Sequence, residues 1–368
     1  MKFMVSIAFL SFLFPLCCAF VTSFQTNLGK TSSWCQPART ADIHQEKTGN
    51  PVLEPRRASI RLQSVAEKPT TGEWDAKYFS PAKVNLFLRV LGKRPDGFHE
   101  LASLFQTVGF GDELFFRKLP VSSAKDEFGC NMPGVPTDGS NLVLRALDLF
   151  RQRTSTQDFY EVYLKKNIPP EAGLGGGSAN AATALFAANQ LAGHPALPED
   201  LEAWSGELGS DITFFLSSGT CYCTGRGEIL HPQEPLAGAR VWLVKPRDGL
   251  STPLVFRNME YDRLSTKDPV ELLKNFLEHG VFAAEYVNDL ELPAFKVMPS
   301  LLQMKTELQA LGFEHVLMSG SGSTLFCVGN PSQSGSWAEE FANKWDALVE
   351  ETCFINRPSS CESWYTPA

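Results

Sequence analysis

The chain has 368 residues, of which 43% are hydrophobic and 20% charged, and its formal net charge is −8. This composition is typical of a soluble protein that is long enough for two domains with cores of their own. The acidic balance, together with the lack of any Lys/Arg-rich block with interleaved aromatic residues, argues against nucleic acid as a partner.

Residues 1–73 differ from the rest of the chain. Lys2 precedes an apolar run over residues 3–21, which contains Pro15 and small residues near its end, a pattern typical of a cleavable signal peptide rather than a membrane anchor. Residues 22–73 are rich in Ser, Thr, Gln and Pro and carry several arginines, as transit peptides do. We therefore predict a disordered, two-part presequence that is removed. It resembles those that direct proteins into the stroma of plastids (chloroplasts) acquired by secondary endosymbiosis. Secretion with a disordered spacer is the alternative.

The chain has nine cysteines, of which Cys17, Cys18 and Cys35 fall in the predicted presequence. The others are scattered and lack the spacing of a zinc site: Cys130, Cys221, Cys223, Cys327, Cys353 and Cys361. Cys221 and Cys223 are two apart in a predicted strand and therefore share one face. We expect reduced thiols, which fits a stroma-like or cytosolic interior.

From residue 74 onward, predicted strands and helices are mixed without strict βαβ alternation, which favours an α+β fold. Periodicity predicts strands at 78–90, 99–108, 112–119, 159–166, 219–224, 241–244, 316–318 and 324–328, and helices at 141–154, 181–193, 199–208, 269–278, 301–311 and 337–349. An irregular end is expected after the last helix. The Pro/Gly-rich stretch 232–239 predicts a boundary between an N-terminal domain, 74–235, and a C-terminal domain, 236–368.

The most informative segment is the glycine loop, residues 169–180, with the sequence PPEAGLGGGSAN. Its glycines permit close approach to a ligand, and the Ala-rich helix that follows presents free N–H groups and a positive dipole end. This combination favours a nucleotide phosphate as ligand, with an ordinary turn as the alternative. The loop lacks the Gly-Lys-Ser/Thr ending of the Walker P-loop, which disfavours ordinary P-loop NTPases.

Two other segments carry candidate catalytic residues. Lys83 opens an otherwise apolar strand in SPAKVNLFLR, with Asn85 on the same face, and Asp211 follows a helix end in LGSDITFF. A lysine at a strand edge is often solvated, and an aspartate there is often a helix N-cap. Phosphoryl transfer, however, needs a base, a cation and a phosphate cradle, and these segments supply one of each. A second glycine turn, MSGSGSTLF at 318–326, is able to cap a phosphate or to form only a hairpin.

In this order and spacing, the three motifs resemble the GHMP kinases. PAKVNLFLRVLGKRPDGFHEL and IPPEAGLGGGSANAATAL are similar, in particular, to the members of the non-mevalonate isoprenoid pathway. The similarity runs from residue 78 to about residue 330. It implies a two-domain GHMP kinase fold with the active site in the inter-domain cleft, and ATP and Mg²⁺ as cofactors. It also implies direct transfer of the γ-phosphate to the C2 hydroxyl of a cytidine-diphospho methylerythritol.

The resemblance also implies roles for individual residues. Asp211 matches the catalytic base and Lys83 the lysine beside it, and Asn85 matches a residue that lines the substrate polyol. The implied cradle for the ATP triphosphate comprises Pro169, Pro170, Gly173, Leu174, Gly175, Gly176, Gly177, Ser178, Ala179 and Asn180.

At the cytidine end, His99 matches the histidine that hydrogen-bonds to the cytosine ring. Phe98 and Phe256 fall where two aromatic residues sandwich the base. Phe98 stands where the family often has Tyr, and Glu171 stands among residues that are usually small. Since a carboxylate repels phosphate, we expect Glu171 to face solvent or Mg²⁺.

Several points stay open at this stage. No residue is assigned as a metal ligand, and the sequence does not show whether Mg²⁺ has a protein ligand or binds with ATP alone. No membrane contact is expected in the mature form, and both a monomer and a homodimer are possible. Another GHMP small-molecule kinase, of homoserine or mevalonate type, is an alternative, and so is a nucleotide-binding sensor without activity. The presence of both Lys83 and Asp211 argues against the sensor.

Overall fold

The computed structural model describes residues 74–236, 238–332, 335–358 and 363–368, so the predicted presequence lies outside the described residues. Within these ranges, no helix combines the length and the apolar character that crossing a bilayer requires.

Strands and helices are interleaved along the described chain, which confirms the predicted α+β class. The strands are β1 (Ala76–Lys93), β2 (His99–Lys118), β3 (Glu127–Cys130), β4 (Tyr160–Lys165), β5 (Thr220–Gly225), β6 (Ile229–Pro232), β7 (Arg240–Pro246), β8 (His315–Met318), β9 (Leu325–Val328) and β10 (Ala347–Cys353). The helices are α1 (Leu142–Thr154), α2 (Gly176–Leu191), α3 (Pro198–Leu208), α4 (Ile212–Leu216), α5 (Thr252–Arg257), α6 (Pro269–Ala283), α7 (Glu291–Val297), α8 (Pro299–Ala310) and α9 (Trp337–Trp345).

The first sheet is built on a long antiparallel hairpin of β1 and β2. The opposite edge of β2 pairs with β5 near its start and with β4 near its end, giving the order β3-β4-β2-β5-β6 with β1 alongside β2. The sequence predicts two separate strands over residues 99–119, but β2 is continuous. The break at Gly109–Gly111 is instead an irregularity in register, where Pro81 pairs with Gly111 and Ala82 with Val108.

The faces of β1 also differ from the prediction. Strict alternation places Phe87 on the same face as Lys83 and Asn85. A register shift between Asn85 and Phe87 breaks that alternation. Phe87 therefore packs in the core against Phe276, and Leu88 takes the place beside Lys83 and Asn85 on the wall of the cleft described below.

The second sheet has the order β10-β7-β9-β8 and is antiparallel throughout. The prediction of a helix to residue 349 was wrong here, and the expected irregular end begins only after residue 353. Helix α9 stops at Trp345, Asp346 takes a left-handed conformation, and residues 347–353 pair with the whole of β7. Strands β3 and β6 were not predicted either, because each has four residues and lacks a clear apolar pattern.

Helix α2 is the central helix of the molecule. Every residue from Ala179 to Asn189 is buried, since the Ala-rich sequence is small and apolar on all sides. The helix ends near Gly193 as predicted, and Gly193 has a φ of 78°. Because the body of α2 is enclosed, the more exposed turn at its N-terminus is held in a fixed position.

The predicted strand at residues 219–224 is confirmed, and the side chains of Cys221 and Cys223 share its buried face. Cys130, Cys221, Cys223 and Cys327 are reduced. Burial raises the pKa of the Cys221 thiol to about 11, and that of Cys223 is also raised, so both stay protonated near neutral pH.

Candidate active site

A cleft of about 590 Å³ lies where the first sheet meets the glycine loop and the second glycine turn. Its walls come from β1, β2 and β5, from the residues before α4, from the start of α5, and from Gly320 and Ser321. Lys83, Asn85, Phe98, His99, Asp211 and Phe256 all line it. The cleft thus brings together residues that are far apart in the sequence.

Lys83 and Asp211 form the charged centre of the cleft. The Lys83 Nζ lies 3.6 Å from Asp211 Oδ2, with the lysine side chain 5% exposed and the aspartate 33%. Asp211 occupies the N-cap position of α4, but its carboxylate makes no capping hydrogen bond. The ordinary N-cap interpretation therefore does not account for this side chain, which faces the cleft instead.

Asn85 orients the lysine. Its Oδ1 accepts a hydrogen bond of 2.7 Å from Lys83 Nζ, and its Nδ2 donates to Ser103 Oγ at 2.9 Å. The lysine Nζ also lies 4.6 Å from the centre of the Phe105 ring. With these neighbours the buried ammonium has little freedom to leave the cleft, which is the arrangement a fixed catalytic cation needs.

The glycine loop rests directly on the second glycine turn. Gly173 has a φ of 74°, and a Cβ there would lie 2.2 Å from the Ser319 carbonyl oxygen. The Ser319 hydroxyl donates to the Gly173 carbonyl at 2.9 Å, and the Thr324 N–H donates to the Ala172 carbonyl at 3.1 Å. The second turn therefore supports the loop and is more than a hairpin connection.

The loop also touches the charged centre. A Cβ at Gly175, where φ is 68°, would lie 3.1 Å from Lys83 Cγ and 2.9 Å from the Phe215 ring. The Lys83 N–H donates to the Leu174 carbonyl at 3.0 Å. Gly175 is the N-cap of α2, so the N–H groups of the first helical turn begin beside Lys83.

The predicted cradle residues are not equally placed. Gly173 and Gly175 line the cleft, Leu174, Ala179 and Asn180 are buried, and Pro170 and Gly177 are exposed. The remaining members, Pro169, Gly176 and Ser178, are half-buried.

Asn180 faces away from the cleft. Its Nδ2 donates to Ser80 Oγ at 3.0 Å and to Asp112 Oδ2 at 2.9 Å. Asp112 also accepts a hydrogen bond from Lys166, whose Nζ lies 2.9 Å from a Cβ placed on Gly176. Sequence reasoning missed this buried lysine next to the loop. A lysine directly after a strand and just before a glycine loop is the signal that could have found it.

Aromatic residues form the far end of the cleft. The His99 ring stacks on Phe256 with centroids 4.5 Å apart, and His99 Nε2 lies 2.8 Å from the Tyr261 hydroxyl. Phe98 is 55% exposed, and the Arg226 guanidinium lies 5.1 Å from its ring. Tyr261 and Arg226 were not predicted, because each is an isolated residue outside any motif.

Glu171 is exposed and has a φ of 51°. It lies against Gly249, at which a Cβ would be 2.7 Å from Glu171 Oε2, and it does not line the cleft. Exposure to solvent is one of the two placements expected for this residue. Burial lowers the pKa of the nearby Lys245 to about 8.

The chain matches two protein-family models. Residues 141–219 match the GHMP kinases N terminal domain, and residues 263–348 match the GHMP kinases C terminal domain. The chain is 47% identical over 292 residues to the chloroplastic 4-diphosphocytidyl-2-C-methyl-D-erythritol kinase of Oryza sativa subsp. japonica, covering 78% of this chain and 72% of the relative. It is 46% identical over 291 residues to the kinase of the same name from Protochlamydia amoebophila, covering 79% and 93%. The chain belongs to the family of 4-diphosphocytidyl-2-C-methyl-D-erythritol kinases.

A solved structure agrees with this assignment. The crystal structure of a 4-(cytidine 5'-diphospho)-2C-methyl-D-erythritol kinase matches with a TM-score of 0.64 at 32% identity, over 76% of this chain and 99% of that one. The predicted GHMP kinase fold is therefore confirmed, and with it the interpretation of the chain as an ATP-dependent kinase of this family. The boundary at residues 235 and 236 stays a prediction.

Proposed function

We propose that this chain transfers the γ-phosphate of ATP to the C2 hydroxyl of 4-diphosphocytidyl-2-C-methyl-D-erythritol. The observation that carries the proposal is the Lys83–Asp211 pair, 3.6 Å apart, with the glycine loop at one end of the cleft and stacked aromatic residues at the other. A phosphate site and a base-binding site on opposite sides of one charged pair suit a kinase whose substrate carries a nucleotide.

In the proposed reaction, Asp211 accepts the proton of the C2 hydroxyl as the hydroxyl oxygen forms a bond to the γ-phosphorus. The bond from that phosphorus to the β,γ-bridging oxygen breaks, and ADP leaves. Lys83 stabilises the negative charge on the base and on the transferring phosphoryl group. Asn85 keeps the Lys83 ammonium directed into the cleft through the 2.7 Å hydrogen bond.

The glycine loop would hold the triphosphate. The free N–H groups of the first turn of α2 and the positive end of its dipole favour an anion at this position. Positive φ at Gly173 and Gly175 lets the backbone approach without side chains in the way. Lys166 also lies close to Gly176, but its charge is compensated by the buried ion pair with Asp112. The buried Asn180 would act by holding α2 in place.

Magnesium would enter on the phosphates of ATP and neutralise the charge that develops on them. Among the described residues, no three of the His, Cys, Asp and Glu side chains group together as a metal site. An ion at this position would be held mainly by phosphate oxygens and water.

At the cytidine end, Phe98, His99 and Phe256 would bind the cytosine ring. His99 now covers one face of Phe256, so a base stacked between Phe98 and Phe256 would require the imidazole to turn toward the edge of the base. From there its ring nitrogens could hydrogen-bond to cytosine. The hydrogen bond to Tyr261 gives His99 a second fixed partner.

We further propose that residues 1–73 direct the chain to the plastid stroma. The chloroplastic relative from rice supports this, as do the apolar and Arg-bearing parts of the segment.

A kinase assay with the cytidine-diphospho substrate, and with homoserine and mevalonate as controls, tests the proposed reaction. Lys83→Ala and Asp211→Asn should each lower kcat at least about 100-fold, as expected for loss of a positioned base or its cation. Lys165→Ala and Asp346→Asn change the same residue types at positions 52% and 61% exposed, and should leave kcat unchanged. Near-normal turnover by a folded Lys83 or Asp211 variant would refute the assignment.

A further inference from the structure

The C-terminal segment of the chain returns to the first sheet. We define the C-terminal strap as residues 354–357 together with residues 363–368. Trp364 stacks on Phe186 of α2 with centroids 4.5 Å apart, and its Nε1 donates to the Phe79 carbonyl at 2.7 Å. The strap lies beyond both regions matched by the family models, the second of which ends at residue 348.

The strap forms hydrogen bonds to the C-terminal end of α4. The Ser217 carbonyl oxygen accepts hydrogen bonds from Arg357 Nε at 2.7 Å and from the Tyr365 hydroxyl at 2.8 Å. The Arg357 N–H donates to the Ser218 carbonyl at 2.9 Å. Both strap side chains are buried, with exposures of 7% and 3%. Two buried donors on a single carbonyl leave that end of α4 little freedom.

Asp211 lies at the other end of the same short helix. Helix α4 has five residues, Ile212–Leu216, with Asp211 as its N-cap and Ser217 as its C-cap. A helix of this length is not stable by itself, so its position is set by the contacts at its ends and on its faces. A displacement of the Ser217 carbonyl would therefore move the whole helix, and Asp211 with it.

The strap also holds the strand residue that pairs with Lys83. Thr107 is the partner of Lys83 in the β1–β2 register. Its carbonyl accepts from the Ile355 N–H at 3.1 Å, and its hydroxyl donates to the Ile355 carbonyl at 2.6 Å. One short segment thus contacts the neighbours of both members of the charged pair.

We propose that Arg357 and Tyr365 are positioning residues that hold Asp211 at its working distance from Lys83. The proposal rests on the proposed function of that pair. Displacements of about 1 Å in a reacting group cost up to about 100-fold in rate, so a loosened α4 would lower turnover without removing any group that touches substrate. Neither residue lines the cleft.

The test compares Tyr365→Phe, Arg357→Lys and the double variant with Tyr286→Phe. Tyr286 supplies the matched control, because its hydroxyl also donates to a backbone carbonyl, that of Val281, at 2.8 Å, and it lies outside the cleft. Steady-state kinetics with ATP and the cytidine-diphospho substrate are measured on the full chain, well below the melting temperature of each variant. The pH profile of kcat is recorded as well.

We expect kcat to fall about 2- to 3-fold in each single strap variant and about 10-fold in the double variant, with both KM values within 2-fold of the wild type. The acidic limb of the kcat profile should move in the double variant, and Tyr286→Phe should change neither kcat nor the profile. If the double variant does not fold, the single variants decide.

Wild-type kcat in the folded strap variants, or an equal loss in Tyr286→Phe, would overturn the positioning role alone. A wild-type chain without activity on this substrate, or an active Asp211→Asn variant, would overturn the proposed function and the positioning role with it.

Discussion

At the scale of single residues, the protonation of His99 should make substrate binding in the cleft depend on pH. Burial lowers its pKa below the usual 6.5, and the charge of Lys93 lowers it further. The imidazole is therefore neutral at pH 7.5 and keeps both a donor and an acceptor nitrogen. Protonation removes the acceptor, but only when the pH falls below the lowered pKa.

We expect the KM for the cytidine-diphospho substrate to stay constant from pH 8 to 6.5 and to rise several-fold toward pH 5.5. The rise follows from loss of the acceptor on His99. His99→Gln retains a neutral donor and acceptor and should lack this rise, although its KM is higher at pH 7.5. Initial-rate measurements across this range, at saturating ATP, check the prediction. A parallel rise in both proteins would assign the effect to another group.

The residues of the site were predictable to different degrees. Lys83 and Asp211 stand in segments whose spacing resembles a known family, so their meeting in one cleft could be expected. Tyr261 could not be found in this way, because it contacts His99 across a separation of 162 residues in the chain. Asn180 shows the opposite case, in which a residue inside a motif serves the packing of α2.

At the scale of elements, the contact between the glycine loop and the second glycine turn decides what each glycine tolerates. Gly173 and Gly193 both have positive φ, 74° and 78°. A Cβ on Gly173 meets backbone atoms of the second turn, whereas nothing lies within 4 Å of a Cβ on Gly193. The two glycines thus share nearly the same φ but differ in the atoms around them.

Gly173→Ala should lower the free energy of unfolding by about 3 kcal/mol and kcat/KM by at least about 10-fold, because the loop and the turn must separate. Gly193→Ala should lower the free energy of unfolding by only about 1 kcal/mol, which is the cost of an alanine in the left-handed backbone conformation. It should leave kcat/KM unchanged. Urea unfolding and steady-state kinetics provide both measurements. Equal losses of stability and of kcat/KM in the two variants would show that the positive φ alone, and not the contact with the second turn, determines the effect.

Elements that depend on local pattern were predicted well, and those that depend on distant partners were not. The Ala-rich sequence of α2 is enough to predict a helix that ends near Gly193. Strand β10 forms by pairing with an edge of β7. The sequence of residues 347–353 has no local pattern that predicts this strand. The register shift after Asn85 likewise depends on the pairing of β1 with β2.

At the scale of the whole molecule, the described residues bury their apolar side chains among themselves. Three clusters account for the core, and each is built from residues between 76 and 365. The packing of these clusters is thus supplied by residues from 76 onward.

A chain that starts at Trp74 should fold and show the kcat of the full chain, since it keeps all three clusters and the cleft. A fluorescent reporter fused behind residues 1–73 should accumulate in plastids of an alga with secondary plastids. Kinetics and microscopy check the two halves of this prediction. Appearance of the reporter in the medium would favour secretion instead.

Strand β1 has a mechanical consequence for turnover. Its residues enter all three clusters in succession, and the Leu88 N–H and carbonyl bond to Val287 and Asp289 at 2.7 and 2.9 Å. Moving the two sheets apart would break these bonds and expose core side chains. We therefore expect substrates to enter and products to leave beside Phe98 and Arg226, which line the cleft, while the sheets stay joined.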